Sequence, residues 1–257
     1  MTGPILSVRD LERRYGGFIG CTDISFDIWP GEVVAIVGES GSGKTTLLNC
    51  ISARLDRSSG SVRYRMRDGE FPDLADLSEA ERRFLMRTDW GFVHQNPADG
   101  LRMRVSAGAN VGERLMAVGE RHYGDIRRTA GEWLSRVEIA TDRIDDQPVE
   151  FSGGMRQRLQ IARNLVTHPR LIFMDEPTGG LDVSVQARVL DLLRGLVNDL
   201  DLSVVLVTHD LAVARLLSQR MIVMKRGRIV EQGLTDRVLD DPQHAYTQLL
   251  VASIPES

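Results

Sequence analysis

The sequence predicts an α/β fold built on a parallel sheet with an inserted helical lobe, and three features lead to it. Continuous apolar runs at 33–37 (VVAIV), 171–174 (LIFM) and 204–207 (VVLV) have the length and branched content of strands buried on both faces. Stretches of helical periodicity follow such runs. A glycine-rich segment joins the first run to a helical pattern, as in folds that bind ligands at the carboxyl ends of parallel strands.

Further strands are predicted from ISFDIW at 24–29 and from RMIVMKRGRIVEQG at 220–233. Helical spacing places Met155, Leu159, Ala162 and Val166 on one face, and Val185, Val189, Leu192 and Leu196 on another. Between Gly69 and His168 strands thin out and polar helical patterns such as LSEAERRFLMRT and GDIRRTAGEWLSRVE take over, which predicts a helical lobe over about 96–168. Short linkers and the absence of internal repeats predict one domain over 1–257, with a short helical tail at about 235–257.

The 257 residues carry 32 basic and 36 acidic side chains, a net charge of −4, so no broad basic surface for nucleic acid is expected. Cys21 and Cys50 form no CxxC pair, and no histidines stand at metal-ligand spacing. A cytoplasmic location is the expectation. Charge interrupts the N-terminal stretch within ten residues, and no apolar run approaches the roughly 20 residues a spanning helix needs, so direct membrane insertion is not expected.

Gly38–Thr45 (GESGSGKT) fits G-x-x-x-x-G-K-[ST] between the strand at 33–37 and a helical pattern. Such a loop curls so that its N–H groups point at phosphate oxygens. Gly38, Glu39, Ser40, Gly41, Ser42, Gly43, Lys44, Thr45 and Thr46 are the candidate phosphate contacts, with Lys44 adding charge at the β/γ-phosphates and Thr45 a hydroxyl for Mg²⁺. The alternative is a glycine-serine turn between strand and helix. A second carboxylate-bearing strand end, LIFMDEP, puts Asp175 and Glu176 at the mouth of the sheet. Alone such a pair is a solvated strand end. Beside a phosphate loop, Asp175 would hold Mg²⁺ and Glu176 would accept a proton from the water attacking the γ-phosphate.

FSGGMRQR at 151–158 resembles the signature motif of ATP-binding cassette (ABC) ATPases, and it lies one helix before the acid pair, as in that family. The resemblance covers essentially the whole chain. It implies a small antiparallel β lobe beside the parallel-sheet core, with ATP and Mg²⁺ as ligands. It further implies that Tyr15 stacks on adenine, that Gln95 contacts Mg²⁺ and the γ-phosphate, and that His209 contacts the γ-phosphate. Asp182 would reach across a dimer. Ser152, Gly153 and Gly154 open a helix whose free N–H groups can grip a phosphate, and the resemblance implies that this phosphate belongs to ATP held by a partner subunit. Two positions depart from the family pattern. Met155 stands where glutamine is usual, and GGLD replaces a commoner small-residue run; neither removes a phosphate ligand.

The C-terminal DDPQHAYTQLLVASIP is similar to the tail of oligopeptide-type importer ATPases, which act beneath a separate permease. A motor on nucleic acid is disfavoured by the absence of a basic stripe. The stretch from His94 to Arg127, with the signature region and MDEPTGGLD, resembles the K subunits of bacterial carbon-phosphorus lyase systems. That similarity implies phosphonate breakdown, docking on a lyase core complex, and a homodimer or a heterodimer with a related ATPase subunit. Asp99–Arg104 is the expected docking segment: Arg102, Met103 and Arg104 are of types enriched at interfaces, and alanine at Leu101, Arg102 and Met103 is expected to abolish docking.

Overall fold

The computed structural model describes residues 3–253, which divide into two compact units, 3–82 with 201–253 and 83–200. In chain order the first unit contributes β1 (Leu6–Tyr15), β2 (Phe18–Ile28), β3 (Val33–Val37), α1 (Lys44–Ile51) and β4 (Ser59–Tyr64). Helix α2 (Glu79–Thr88) follows. The second unit then carries β5 (Trp90–Val93), α3 (Pro97–Gly100), α4 (Ala107–Ala117), α5 (Tyr123–Arg136), α6 (Gly153–Leu165), β6 (Leu171–Asp175) and α7 (Val183–Asp199). The chain completes the first unit with β7 (Ser203–Thr208), α8 (Leu211–Leu217), β8 (Arg220–Lys225), β9 (Arg228–Leu234), α9 (Thr235–Asp240) and α10 (Ala245–Ala252). The predicted tail beyond residue 253 lies outside the described residues.

The first unit holds two sheets. β1 is flanked by β2 and β4, both antiparallel to it, which is the small β lobe that the resemblance implies. Along β2 burial alternates from Ile24 onward, with Ile24, Phe26 and Ile28 turned inward. In the other sheet β3 is central, parallel to β7 on one side and to β8 on the other, while β9 returns antiparallel along β8. Every residue of β3 and β7 is buried, as continuous apolar runs require in a sheet covered on both faces. Val37 pairs with both Thr208 and Val223, so the chain segments after β3, β7 and β8 leave the sheet at the same edge.

In the second unit β5 and β6 are parallel, from Trp90 opposite Leu171 to Val93 opposite Met174. β5 was not anticipated, because four residues interrupted by glycine give too short an alternation to stand out. The partly buried Arg114 helps to fix its start by donating to the Met86 carbonyl at 2.8 Å and to that of Trp90 at 2.7 Å. Burial lowers its guanidinium to about 10, still charged near neutrality. Leu159 and Ala162 on α6 and Val166 just beyond it are buried as predicted, while Met155, the first residue of the predicted face, is only partly covered. On α7 the buried face is Val189, Leu190, Leu193 and Leu196, with Leu192 only partly covered. Spacings of four and three from Val189 lead to Leu193 and Leu196, so the stripe runs one position beyond the predicted one.

Candidate nucleotide site

In the first unit, β3 ends at Val37 and the chain enters the loop 38–43 before α1 begins at Lys44. Two glycines are required by shape. Gly38 has φ 149° and its missing Cβ would overlap the Met224 carbonyl, while Gly43 has φ 100° and would overlap that of Gly20. Both backbone conformations lie where side chains are strained. The Ser42 carbonyl accepts from Gly227 N–H at 2.9 Å, tying the loop to the β8–β9 turn. Lys44 is only 6% exposed. Its ammonium donates to the carbonyls of Gly38 at 2.7 Å and Glu39 at 2.8 Å, so the charge lies under the loop. Thr45 is exposed and Thr46 partly so, on the first turn of α1.

His209 leaves β7 at the same sheet edge as the loop, and it is exposed. The chain turns there because Asp210 N–H donates to Thr208 Oγ1 at 3.0 Å, while the Asp210 carboxylate caps α8 through Ala212 and Val213 N–H. Tyr15 ends β1 opposite Phe18, half exposed, with the Arg13 guanidinium 4.7 Å from its ring centre. An exposed aromatic face of this kind can stack on a planar base.

The second unit gathers the other candidates. Asp175 closes β6, and Glu176 follows at φ 47°, a left-handed conformation unusual outside glycine. The chain then turns sharply, Gly179 N–H donating to the Glu176 carbonyl at 2.9 Å. A Cβ on Gly179 would lie 3.3 Å from Gln95 Nε2 and from the Glu176 carbonyl oxygen, so Gln95 is brought against the turn that follows the acid pair. Ser152 caps α6, its hydroxyl accepting from Met155 N–H at 3.3 Å. Gly154 has no room for a side chain because a Cβ would overlap Val185 Cγ1 on α7. Asp182 caps α7, accepting from Val185 N–H at 3.0 Å and the Ser184 hydroxyl at 2.9 Å. Those bonds, the amide of Val185 foremost, lower its carboxyl and keep it ionised. Met155 does not dangle: Arg143 Nη1 lies 3.4 Å from its sulfur. Among the described residues no three His, Cys, Asp or Glu side chains are grouped as a metal site.

Residues 21–179 match the ABC transporter family. The chain belongs to the ABC ATPase family. It is 67% identical over 254 residues to PhnK of Escherichia coli (strain K12), an ATP-binding protein named for phosphonates utilization, and the match covers 99% of each chain. It is 38% identical to an ATP-binding protein of Brucella abortus (strain 2308) named for peptide import, over 99% of this chain and 78% of that one. A solved dimer of the cassette MJ0796 in a post-hydrolysis state, bound to ADP and Pi, superposes with a TM-score of 0.78. Its identity is 30%, with 90% of this chain and 98% of that chain covered. The fold is thus that of an ABC ATPase, and the chain is an ATPase of that family. No helix among the described residues is long and apolar enough to cross a membrane.

This ABC ATPase also uses residues that the motif reading passed over. On α6 the buried Gln160 accepts from His94 N–H at 2.6 Å and donates to the His94 carbonyl at 3.2 Å, immediately before Gln95. One turn on, Asn164 does the same for Phe92, with both distances 3.0 Å. Two side-chain amides therefore pair with the β5 segment as a neighbouring strand would. Arg163 donates to the Gly100 carbonyl, to that of Asn110 at 3.2 Å and to Glu113 at 3.0 Å. Buried polar residues in a helix interior were the available signal, and helical periodicity alone treats them as gaps in the apolar stripe.

The segment Asp99–Arg104 is braced from the same side. Asn110 accepts from Arg102 N–H at 2.8 Å and donates to the Arg102 and Val105 carbonyls, and Arg102 pairs with Glu113 at 2.7 Å. Asp99, Arg102 and Arg104 are exposed. Leu101 is not: at 8% exposure it packs inward and cannot serve as a surface anchor. The run Leu101–Met103 reads in sequence as one surface triplet, but Asn110 clamps the main chain at Arg102 and Leu101 lies buried beside it.

A methyl group on Gly100 would overlap Gln160 Oε1. Gly100→Ala is therefore expected to cost about 1–3 kcal/mol in the native background and clearly less when Gln160 is already alanine. A double-mutant cycle by urea denaturation should give a coupling of about 1 kcal/mol or more, and strict additivity would show that the two residues are not in contact.

Proposed function

We propose that this chain is the Mg²⁺-dependent motor subunit of a carbon-phosphorus lyase assembly in phosphonate breakdown. It would work as a homodimer, or as a heterodimer with a related ATPase subunit, in the cytoplasm. The observation that carries the reading is the 67% identity to PhnK, which runs through 99% of both chains and so includes the segment at 94–127. The sequence motifs and the local geometry of each unit supply the chemistry.

In this reading the loop amides over 40–46 other than that of Ser42, together with the Lys44 ammonium, bind the phosphates of ATP. Ser42 Oγ is buried without a hydrogen-bond partner, and a phosphate oxygen is an acceptor suited to it. Tyr15 stacks on the adenine. Glu176 takes the proton of the attacking water, and His209 donates to the γ-phosphate as charge develops there. Thr45, Asp175 and Gln95 are hard oxygen donors of the kind Mg²⁺ accepts, and when bound the ion would neutralise charge on the β- and γ-phosphate oxygens. Ser152, Gly153 and Gly154 grip the γ-phosphate of ATP held by the partner subunit, with Asp182 beside them at the dimer face. Val183, 85% exposed next to Asp182, fits a surface that is covered on dimerisation.

A second reading, the ATPase of a peptide importer, is favoured by the 38% identity to proteins named for peptide import. Affinity purification from cells grown on a phosphonate separates the two. Association with lyase core proteins supports the first reading, and association with an integral-membrane permease supports the second. Arg102→Ala with Arg104→Ala, both exposed, should abolish that association while leaving ATP affinity unchanged; binding to the core at native strength would remove Asp99–Arg104 as the docking segment.

Glu176→Gln is expected to keep nucleotide binding while turnover falls roughly 10²- to 10⁴-fold, the range for loss of a general base. ATP should then hold the dimer closed, as seen by size-exclusion chromatography. Near-normal steady-state phosphate release would sink the assignment.

Lys44→Ala should weaken ATP binding to the isolated monomer, because the phosphates lose a charged donor. Ser152→Arg should leave monomer binding intact and block hydrolysis alone. Equal losses of monomer affinity in both variants, measured by calorimetry, would contradict a signature helix that acts across subunits.

A further inference from the structure

The C-terminal QHAYTQLL has no part in the reading above, yet it reaches the phosphate loop. Its course is fixed from within the first unit. Glu231 on β9 accepts from the N–H groups of Gln243 and His244 at 2.8 and 3.0 Å, and His244 Nδ1 then caps α10 by accepting from Tyr246 N–H at 3.1 Å. The Tyr246 ring is 3% exposed, and it packs in a cluster with Ala35 and Val37 of β3, Met221 and Val223 of β8, and Val238 and Leu239 of α9. The Lys225 ammonium lies 4.3 Å from the ring centre. The hydroxyl emerges at the start of the loop, where it accepts from Glu39 N–H at 3.0 Å.

Glu39 is consequently held at both ends of its main chain. Its N–H is bound by the C-terminal helix, and its carbonyl accepts from Lys44 Nζ at 2.8 Å and from Ser42 N–H at 3.1 Å. The neighbours cannot supply this restraint. Gly38 and Gly41 both have positive φ, and a loop so rich in glycine has much conformational freedom to lose on ordering. Burial raises the Tyr246 hydroxyl above the ordinary phenol range, so it keeps its proton and stays a neutral acceptor for the amide.

We propose that Tyr246 is a positioning residue for ATP binding: its hydroxyl fixes the Glu39 peptide, and through it the phosphate loop, in the curled form that receives the nucleotide. The inference rests on the reading that residues 38–46 take the phosphates of ATP. A loop held in its competent form binds at its intrinsic affinity, whereas a loop that spends only a fraction of its time there binds more weakly by that fraction. The tail is then part of the nucleotide site without touching nucleotide.

The test is Tyr246→Phe in the full chain, which keeps the ring, its packing and the cation beneath it and removes only the hydroxyl. The Kd for the non-hydrolysable analogue AMP-PNP and the KM for ATP should both rise, by roughly 3- to 10-fold, as for loss of one neutral hydrogen bond. The kcat should stay within about twofold, since no group acting in the transition state is changed. Amide hydrogen exchange should accelerate in peptides covering 38–43 and remain native in β3 and β8. Native affinity and native loop exchange would overturn the inference, as would weaker binding accompanied by faster exchange throughout β3 and β8, the mark of a merely structural role. Lys44→Ala run in parallel tests the underlying reading. If Lys44→Ala binds AMP-PNP as the native chain does, the loop is not the nucleotide site. If only Tyr246→Phe binds normally, the fault lies with the positioning role alone.

Discussion

A buried ammonium governs the architecture of the first unit. Lys44 opens α1 almost wholly out of water, and a cation in that position is tolerable only if oxygen atoms converge on it. The carbonyls of Gly38 and Glu39 do so, which means the preceding loop must fold back over its own helix. That curl dictates glycine at 38 and 43, where a Cβ would overlap the main chain of β8 or β2. It also needs a firm base, supplied by β3 with its fully buried residues between β7 and β8. The same arrangement that tolerates the lysine prepares it for phosphate, since an anion at the loop offers further oxygen acceptors to a charge already stripped of water.

In the second unit one helix carries comparable weight. The first residues of α6 are Gly153 and Gly154, with Ser152 as cap, and its later turns present Gln160, Arg163 and Asn164 to the chain between Phe92 and Asn110. Side-chain amides replace a missing strand along β5, which satisfies main-chain groups that burial would otherwise strand. Gly154 meanwhile lets α6 pack against Val185, setting the register of the helix that Asp182 caps. The signature residues, Gln95 and the start of α7 are thus parts of one packed body.

The parts of this molecule that were legible in the sequence are those where local chemistry admits few alternatives. Continuous apolar runs became β3, β6 and β7 because their short length and, in VVAIV and VVLV, their branched side chains favour a doubly covered strand over a buried helix. The loop between β3 and α1 was legible because glycines at 38 and 43 and a lysine at 44 suit a backbone that must curl back over its own helix. What stayed hidden depends on partners distant in sequence. Gln160 contacts a residue 66 positions away and Tyr246 one 207 positions away, so no window of periodicity could register either. The burial of Leu101 was hidden for the same reason, since the side chain that clamps the main chain beside it, at Arg102, belongs to Asn110 on α4.

Glu176 shows how position and conformation combine. The strand β6 delivers Asp175 in regular extended geometry, and the next residue departs at φ 47°, a conformation that costs a non-glycine residue of order 1 kcal/mol. Two things hold it there. Pro177 beyond it is buried, and Gly179 N–H closes the turn back onto the Glu176 carbonyl. A relaxed extended residue at 176 would send its side chain to the opposite face from Asp175 in the alternation of a strand. The left-handed turn releases Glu176 from that alternation, so both carboxylates can turn toward one ligand at the sheet mouth, as the proposed division of labour between an ion-holding acid and a proton-accepting one demands.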